Sequence, residues 1–182
     1  MRSTKRGLTA FAIGLAGSAV LGAIAGLIWG VAAPRVLFQE YAAGAAQQVN
    51  AETSAYIVAD VWFCCIAVAG GLSTGIIGTR LLVRKDGWQG ALGLILGAVA
   101  AAFVAMWIGG LIGLSTFNHQ LATSSVGTFF NDSLSLNAKS ALAFWPLVTS
   151  ATIALTAGAR RTEPSEPVSG MWTEEQAGGH AP

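Results

Sequence analysis

Four long stretches of this chain are almost free of charge, and nothing constrains its fold more. They cover residues 8–33, 57–79, 88–115 and 138–158. An α-helix needs about 20 apolar residues to cross a hydrocarbon core about 30 Å thick, and each run meets that length. Backbone amides and carbonyls in lipid must bond within their own segment, which makes the runs helices. A membrane barrel would alternate polar and apolar residues, and these stretches do not. The expected fold is therefore all-α: a membrane-spanning four-helix bundle in residues 1–161.

Composition agrees. The 182 residues are 53% hydrophobic and 10% charged, with a mean hydropathy of +0.59. Soluble domains carry about 25% charged residues, so this chain has too few to cover a water-facing surface, and the lipid bilayer is its first partner. A net charge of +1 gives no basic face for nucleic acid. Cys64 and Cys65 are adjacent in an apolar run, which suits neither a disulfide framework nor zinc and reads as two buried small side chains. No cofactor or metal is expected.

Lysine and arginine set the orientation. Arg2, Lys5, Arg6, Arg80, Arg84, Lys85, Arg160 and Arg161 fall on one side of the four crossings, and Arg35 and Lys139 on the other. Both termini are thus expected in the cytoplasm of a multi-pass cell-membrane protein. The basic residues before the first run resemble a signal peptide. A secretory core spans only about 7–15 residues, so the longer first run is expected to be retained. The Glu- and Pro-containing tail, 162–182, reads as disordered.

Two longer outer segments follow, 34–56 and 116–137. The first, rich in Ala, Gln and Glu, reads as a helical hairpin extending the first two spans. The second mixes aromatic and small polar residues, as a folded loop does. Trp29, Trp62 and Trp88 fall near the expected headgroup levels, Trp145 in the outer part of the last run, and Trp107 reads as a packing residue. Pro146 is expected to kink the fourth helix.

Small residues recur every four positions: Gly14, Ser18, Gly22, Gly26 and Gly30 in the first run, Gly71 and Gly75 in the second, and Gly93, Gly97, Gly109 and Gly113, with Ala101 and Ala105, in the third. Such faces let helix backbones approach closely where no water drives association. They would serve either the bundle itself or a membrane-protein partner, a second copy included. Sliding 8–80 onto 91–163 pairs Gly14 with Gly97, Gly26 with Gly109 and Trp62 with Trp145, a weak sign of a duplicated hairpin.

Gly71–Gly75 spells G-x-S-x-G, but that motif works only at a strand-to-helix turn. Here it lies in an apolar helix, and Ser73 sits too deep to meet His119 as a base. No catalytic residue is assigned. Asp60 stands apart as the one acidic residue inside a run, about one turn into it. An intramembrane carboxylate is a candidate for substrate, ion or proton binding. At a helix N-terminus it also serves structure, accepting free amides in the favourable dipole field. Arg35, His119 and Lys139 flank the same outer side, so these four residues form the candidate polar site. With Trp62, Trp145 and a Pro146 kink, Asp60 would line an outer-facing cavity.

Three short motifs carry a resemblance: W-G-x-x-A-P at Trp29–Pro34, A-D-x-W-F at Ala59–Phe63 and F-W-P-L at Phe144–Leu147. With them the chain resembles a family of actinobacterial four-helix integral membrane proteins of unknown function. The resemblance implies an actinobacterial cell membrane and transfers no activity and no site residue. The expected role is a non-enzymatic accessory or assembly subunit of the cell envelope. The alternatives are a small transporter or lipid-binding protein using the Asp60 cavity, and an enzyme acting on lipid or envelope precursors through Asp60 and His119.

Overall fold

The computed structural model describes residues 2–42, 44–49 and 54–161, with side chains from Lys5 to Ala159. The tail 162–182 lies outside the described residues. Six α-helices and three short strands run in the order α1 (Arg2–Ala32), β1 (Leu37–Ala42), β2 (Ala45–Gln48), α2 (Ala55–Gly78), α3 (Arg84–Asp86), α4 (Trp88–Leu111), α5 (Leu114–Thr123), β3 (Phe129–Asn131) and α6 (Phe144–Arg161). A π-helical turn, Thr79–Val83, joins α2 to α3, and a 3-10 turn, Lys139–Ala143, leads into α6. Among the described residues four helical stretches are long and apolar enough to cross a membrane, as the charge-free runs require. Their outward faces carry Leu8, Val20, Leu27, Val31, Ile57, Leu81, Leu96, Phe103 and Leu155, all exposed. So continuous an apolar exterior would not be tolerated in water.

Small residues decide which helices meet. A Cβ placed on Gly14 would lie 3.1 Å from the Gly93 carbonyl carbon, one on Gly97 2.7 Å from the Ser18 hydroxyl, and one on Gly26 2.6 Å from the Ala105 carbonyl oxygen. Gly22 faces Ala101 just as closely. Each contact advances four residues along both helices, so α1 and α4 run parallel, stripe against stripe. A second parallel pair forms between α2 and α6: Gly71 abuts Trp145 and Val148, and Gly75 abuts Thr152. The short connection 79–87 makes α2 and α4 consecutive, yet each packs most closely on a helix elsewhere in the chain. The runs equated by the sequence offset are the ones that pair, although Gly14 meets Gly93 and not Gly97. These contacts fill the stripes at Gly14–Gly26, Gly71 and Gly75 with the chain's own helices.

Several expectations need correction. Residues 34–56 hold a β-hairpin, not a helical one, so the fold is not purely α. Pro34 ends α1, the order Leu-Phe-Gln-Glu-Tyr suits a strand better than a helix, and Gly44 turns the chain at φ 73°. The sheet is antiparallel in the order β2-β1-β3, with Phe38 opposite Phe130 and Gln39 opposite Phe129. The third run breaks before residue 115. Ile112 is extended and Gly113, at φ 88°, lets the chain restart as α5. Gly113 is thus a hinge between helices and not part of the packing stripe. Pro146 lies in the first turn of α6, where a proline's fixed φ and missing amide are tolerated, so it belongs to the start of that helix and not to its interior.

The tryptophans also sort differently. Trp29 is fully buried beside Phe63, with ring centroids 5.1 Å apart, and its Nε1 donates to the Ala59 carbonyl at 2.9 Å. Trp107 is exposed to the surroundings and does not pack inside. Cys65 is likewise exposed and Cys64 half-buried.

Candidate functional site

Asp60 sits in the second turn of α2, and its carboxylate reaches out of that helix. Oδ1 accepts the Asn137 amide at 3.1 Å and Oδ2 accepts the Ala138 amide at 2.9 Å. Both donors belong to the irregular stretch just before the 3-10 turn that leads into α6. Asp60 therefore anchors the entry to another helix from α2. This two-point, charge-assisted clamp fixes the N-terminal end of the α2–α6 pair.

The other three members of the sequence-derived site do not join it. Arg35 turns back to α1, donating from Nη2 to the Gly30 carbonyl at 3.0 Å, and its guanidinium lies over Gly113. A cation on the last carbonyls of a helix is favoured by the helix dipole. His119 lies on α5 with Nδ1 3.5 Å from the Thr123 hydroxyl. Lys139 is exposed at the start of the 3-10 turn. Among the described residues no hydrogen bond or ion pair joins Asp60 to any of the three.

The expected cavity of Asp60, Trp62 and Trp145 does not form either. Trp145 is buried, its Nε1 donating to the Thr74 hydroxyl at 3.3 Å, while Trp62 stays exposed. The small cavity beside Ala59, walled by Arg35, Tyr56, Asp132 and Ser133, holds only about 10 Å³. Ser73 donates to the Ala69 carbonyl at 2.8 Å within its own helix, which leaves the G-x-S-x-G pattern without a catalytic geometry.

Above the bundle ends the sheet and α5 build a cap that charge counting did not reveal. Phe117 of α5 meets Phe38 and Phe130 edge-on, at 6.0 and 5.5 Å between centroids. Glu40 points to that same inner face and is 1% exposed. Its Oε1 accepts the Gly44 amide at 3.1 Å, closing the hairpin turn, while Oε2 has no partner. Gln48 of β2 donates to the Tyr56 hydroxyl at 2.6 Å, tying the hairpin to α2. Asp132, just after β3, accepts the Ser133 amide at 2.6 Å. Burial pushes its carboxyl above the usual range, against the lowering effect of the Ser133 amide and hydroxyl. Strand alternation could have placed Glu40 on an inner face; nothing in the sequence marks the partners of Tyr56 or Asp132.

The opposite face of the sheet is open. Leu37, Tyr41 and Phe129 are exposed there, with Val126 in the adjoining turn. Among the described residues no group of three His, Cys, Asp or Glu side chains stands close enough to hold a metal ion. In comparisons with protein-family models, curated proteins and solved structures, the chain matches none.

Proposed function

We propose that this chain is a non-enzymatic accessory or assembly subunit of a cell-envelope membrane complex, with both termini in the cytoplasm and the cap outside. The observation that carries this reading is the cap itself. It is braced from below by the Asp60 clamp, the Gln48–Tyr56 bond and the Phe117 cluster, yet presents Leu37, Tyr41, Phe129 and Val126 outward. A braced platform with uncovered apolar side chains is suited to docking a protein at the membrane surface. The basic residues at the far end support the orientation. The resemblance to actinobacterial four-helix membrane proteins supports the setting and assigns no partner.

The Asp60-cavity reading, as a small transporter or lipid-binding protein, has less behind it: both carboxylate oxygens are engaged and the adjoining space is small. An enzymatic reading would need Asp60 and His119 to act together, and they share no contact.

The test is the mass and protein composition of the gently solubilised native complex, compared with a Tyr41→Ser/Phe129→Ser variant. Under the proposal a defined companion protein co-isolates with the wild type, and the variant loses it while keeping its helical content. A wild-type chain that isolates alone, or a companion retained in full by the variant, overturns the reading.

A further inference from the structure

Towards the end opposite the cap, α1, α2 and α4 enclose a lateral crevice of about 170 Å³, lined by Ile13, Gly14, Gly17, Leu21, Ile77 and Leu94. A Cβ on Gly17 would meet nothing within 4 Å, so this glycine faces open space and not a helix. Beside the crevice lies a second, wider hollow of about 410 Å³, and the two share Ile13, Leu81 and Leu82 as common wall. The second hollow is lined by Lys5, Arg6 and Lys85, with Thr9 between them and Asp86 as its one acidic group. The π-helical turn Thr79–Val83 supplies that common wall from α2, and the Thr79 hydroxyl in it is buried without a partner. Single π-turns inside α-helices are frequent at functional sites.

We propose that these two adjoining hollows form a binding site for an anionic phospholipid, its phosphate at Lys5, Arg6 and Lys85 and one acyl chain in the crevice beside Gly17. The dimensions match. Along α1, Ile13 lies roughly 12 Å and Leu21 roughly 24 Å from Lys5, the depth at which a chain continues below its own headgroup. An apolar cavity of about 150 Å³ accepts a benzene-sized molecule, so the crevice takes a segment of chain and the rest lies along the lipid-facing helices. The charge matches as well: three cations against one carboxylate favour a phosphodiester that carries no compensating ammonium. The site lies at the other end of the molecule from the cap and does not depend on what the cap binds.

The experiment is native mass spectrometry of the purified full chain in detergent, with dioleoyl phosphatidylglycerol and dioleoyl phosphatidylcholine added in equal amount. The wild type should retain phosphatidylglycerol about ten-fold or more in preference to phosphatidylcholine, given the charges at the mouth. Lys5→Gln/Arg6→Gln/Lys85→Gln should abolish the preference. Gly17→Leu, which fills the crevice where nothing stands in its way, should lower retention of both lipids while the helical content stays unchanged. Equal retention of the two lipids by the wild type overturns the proposal. So does a preference that survives the triple substitution, or a folded Gly17→Leu chain that holds lipid as the wild type does.

Discussion

The two parallel helix pairs use the same small residues to reach different kinds of contact. Between α1 and α4 the helices meet backbone to backbone at Gly14, Gly22, Gly26, Gly93 and Gly97, and the Ser18 hydroxyl bonds within its own helix, to Gly14. Between α2 and α6 the glycines admit polar side chains. Thr149 donates to the Gly71 carbonyl at 3.2 Å, Trp145 donates to Thr74, and Asp60 holds the chain that leads into α6. One interface depends on shape, so its whole length is sensitive to added volume. The other is pinned at a few polar points, each of modest worth in lipid, where interhelical hydrogen bonds average about 0.6 kcal/mol.

Gly22→Leu should break this comparison most severely. Its side chain would enter the Ala101 backbone, which cannot give way as a side chain could, at a cost of about 3 kcal/mol or more. The expected result is loss of the folded fraction in SDS-titration unfolding; a near-wild-type midpoint would mean that α1 and α4 are not locked as described. Asp60→Ala strikes the other pair at its pinned end. Removing both acceptors should cost about 1–2 kcal/mol, seen as a lower unfolding midpoint together with faster amide exchange at Asn137 and Ala138. Thr149→Val tests a single pin and should cost about 0.6 kcal/mol in the same titration. A loss as large as that of Gly22→Leu would remove the distinction between the pairs.

The smallest expected effect lies outside both pairs, at Asp132. Its folded carboxyl titrates above the ordinary range because of burial. The folded state therefore holds that proton more tightly than the unfolded one. The contribution to stability is full below the ordinary carboxylate pKa and is lost as pH rises through the raised value. Asp132→Asn should remove this part of the pH dependence of thermal unfolding and leave both helix pairs intact. An unchanged pH profile would exclude Asp132 as its source.

The spans themselves were legible because hydrophobic length is a local property. Residues 57–78 and 88–111 become helices wherever the chain places them in lipid. Helix pairing was half legible. The four-residue recurrence of glycine marks a close approach, but the spacing on α1 fits a stripe on α2 as well as one on α4, and only packing in three dimensions decides. The cap is not legible because the strand Leu37–Ala42 lies in a segment whose Ala and Gln content favours a helix, and Pro34 and Gly44 outweigh that local preference. Asp60 was recognised as unusual for the right reason, its cost in a membrane, yet its partners lie in a segment more than seventy residues later. Its neighbours in charge, Arg35, His119 and Lys139, share its side of the bundle without sharing its contacts. Proximity to the same membrane face is not proximity in space.

The parallel pairing of α1 with α4 has a consequence for how the chain is made. Gly14 finds its partner only at Gly93, roughly 80 residues further on, which is several seconds of synthesis at about 5–20 residues per second. During that interval the first span stands in the bilayer with its glycine face uncovered, its strongest neighbour still inside the ribosome. Newly made protein must therefore pass through a stage in which lipid, or the insertion machinery, lies against the surface that α4 will later occupy.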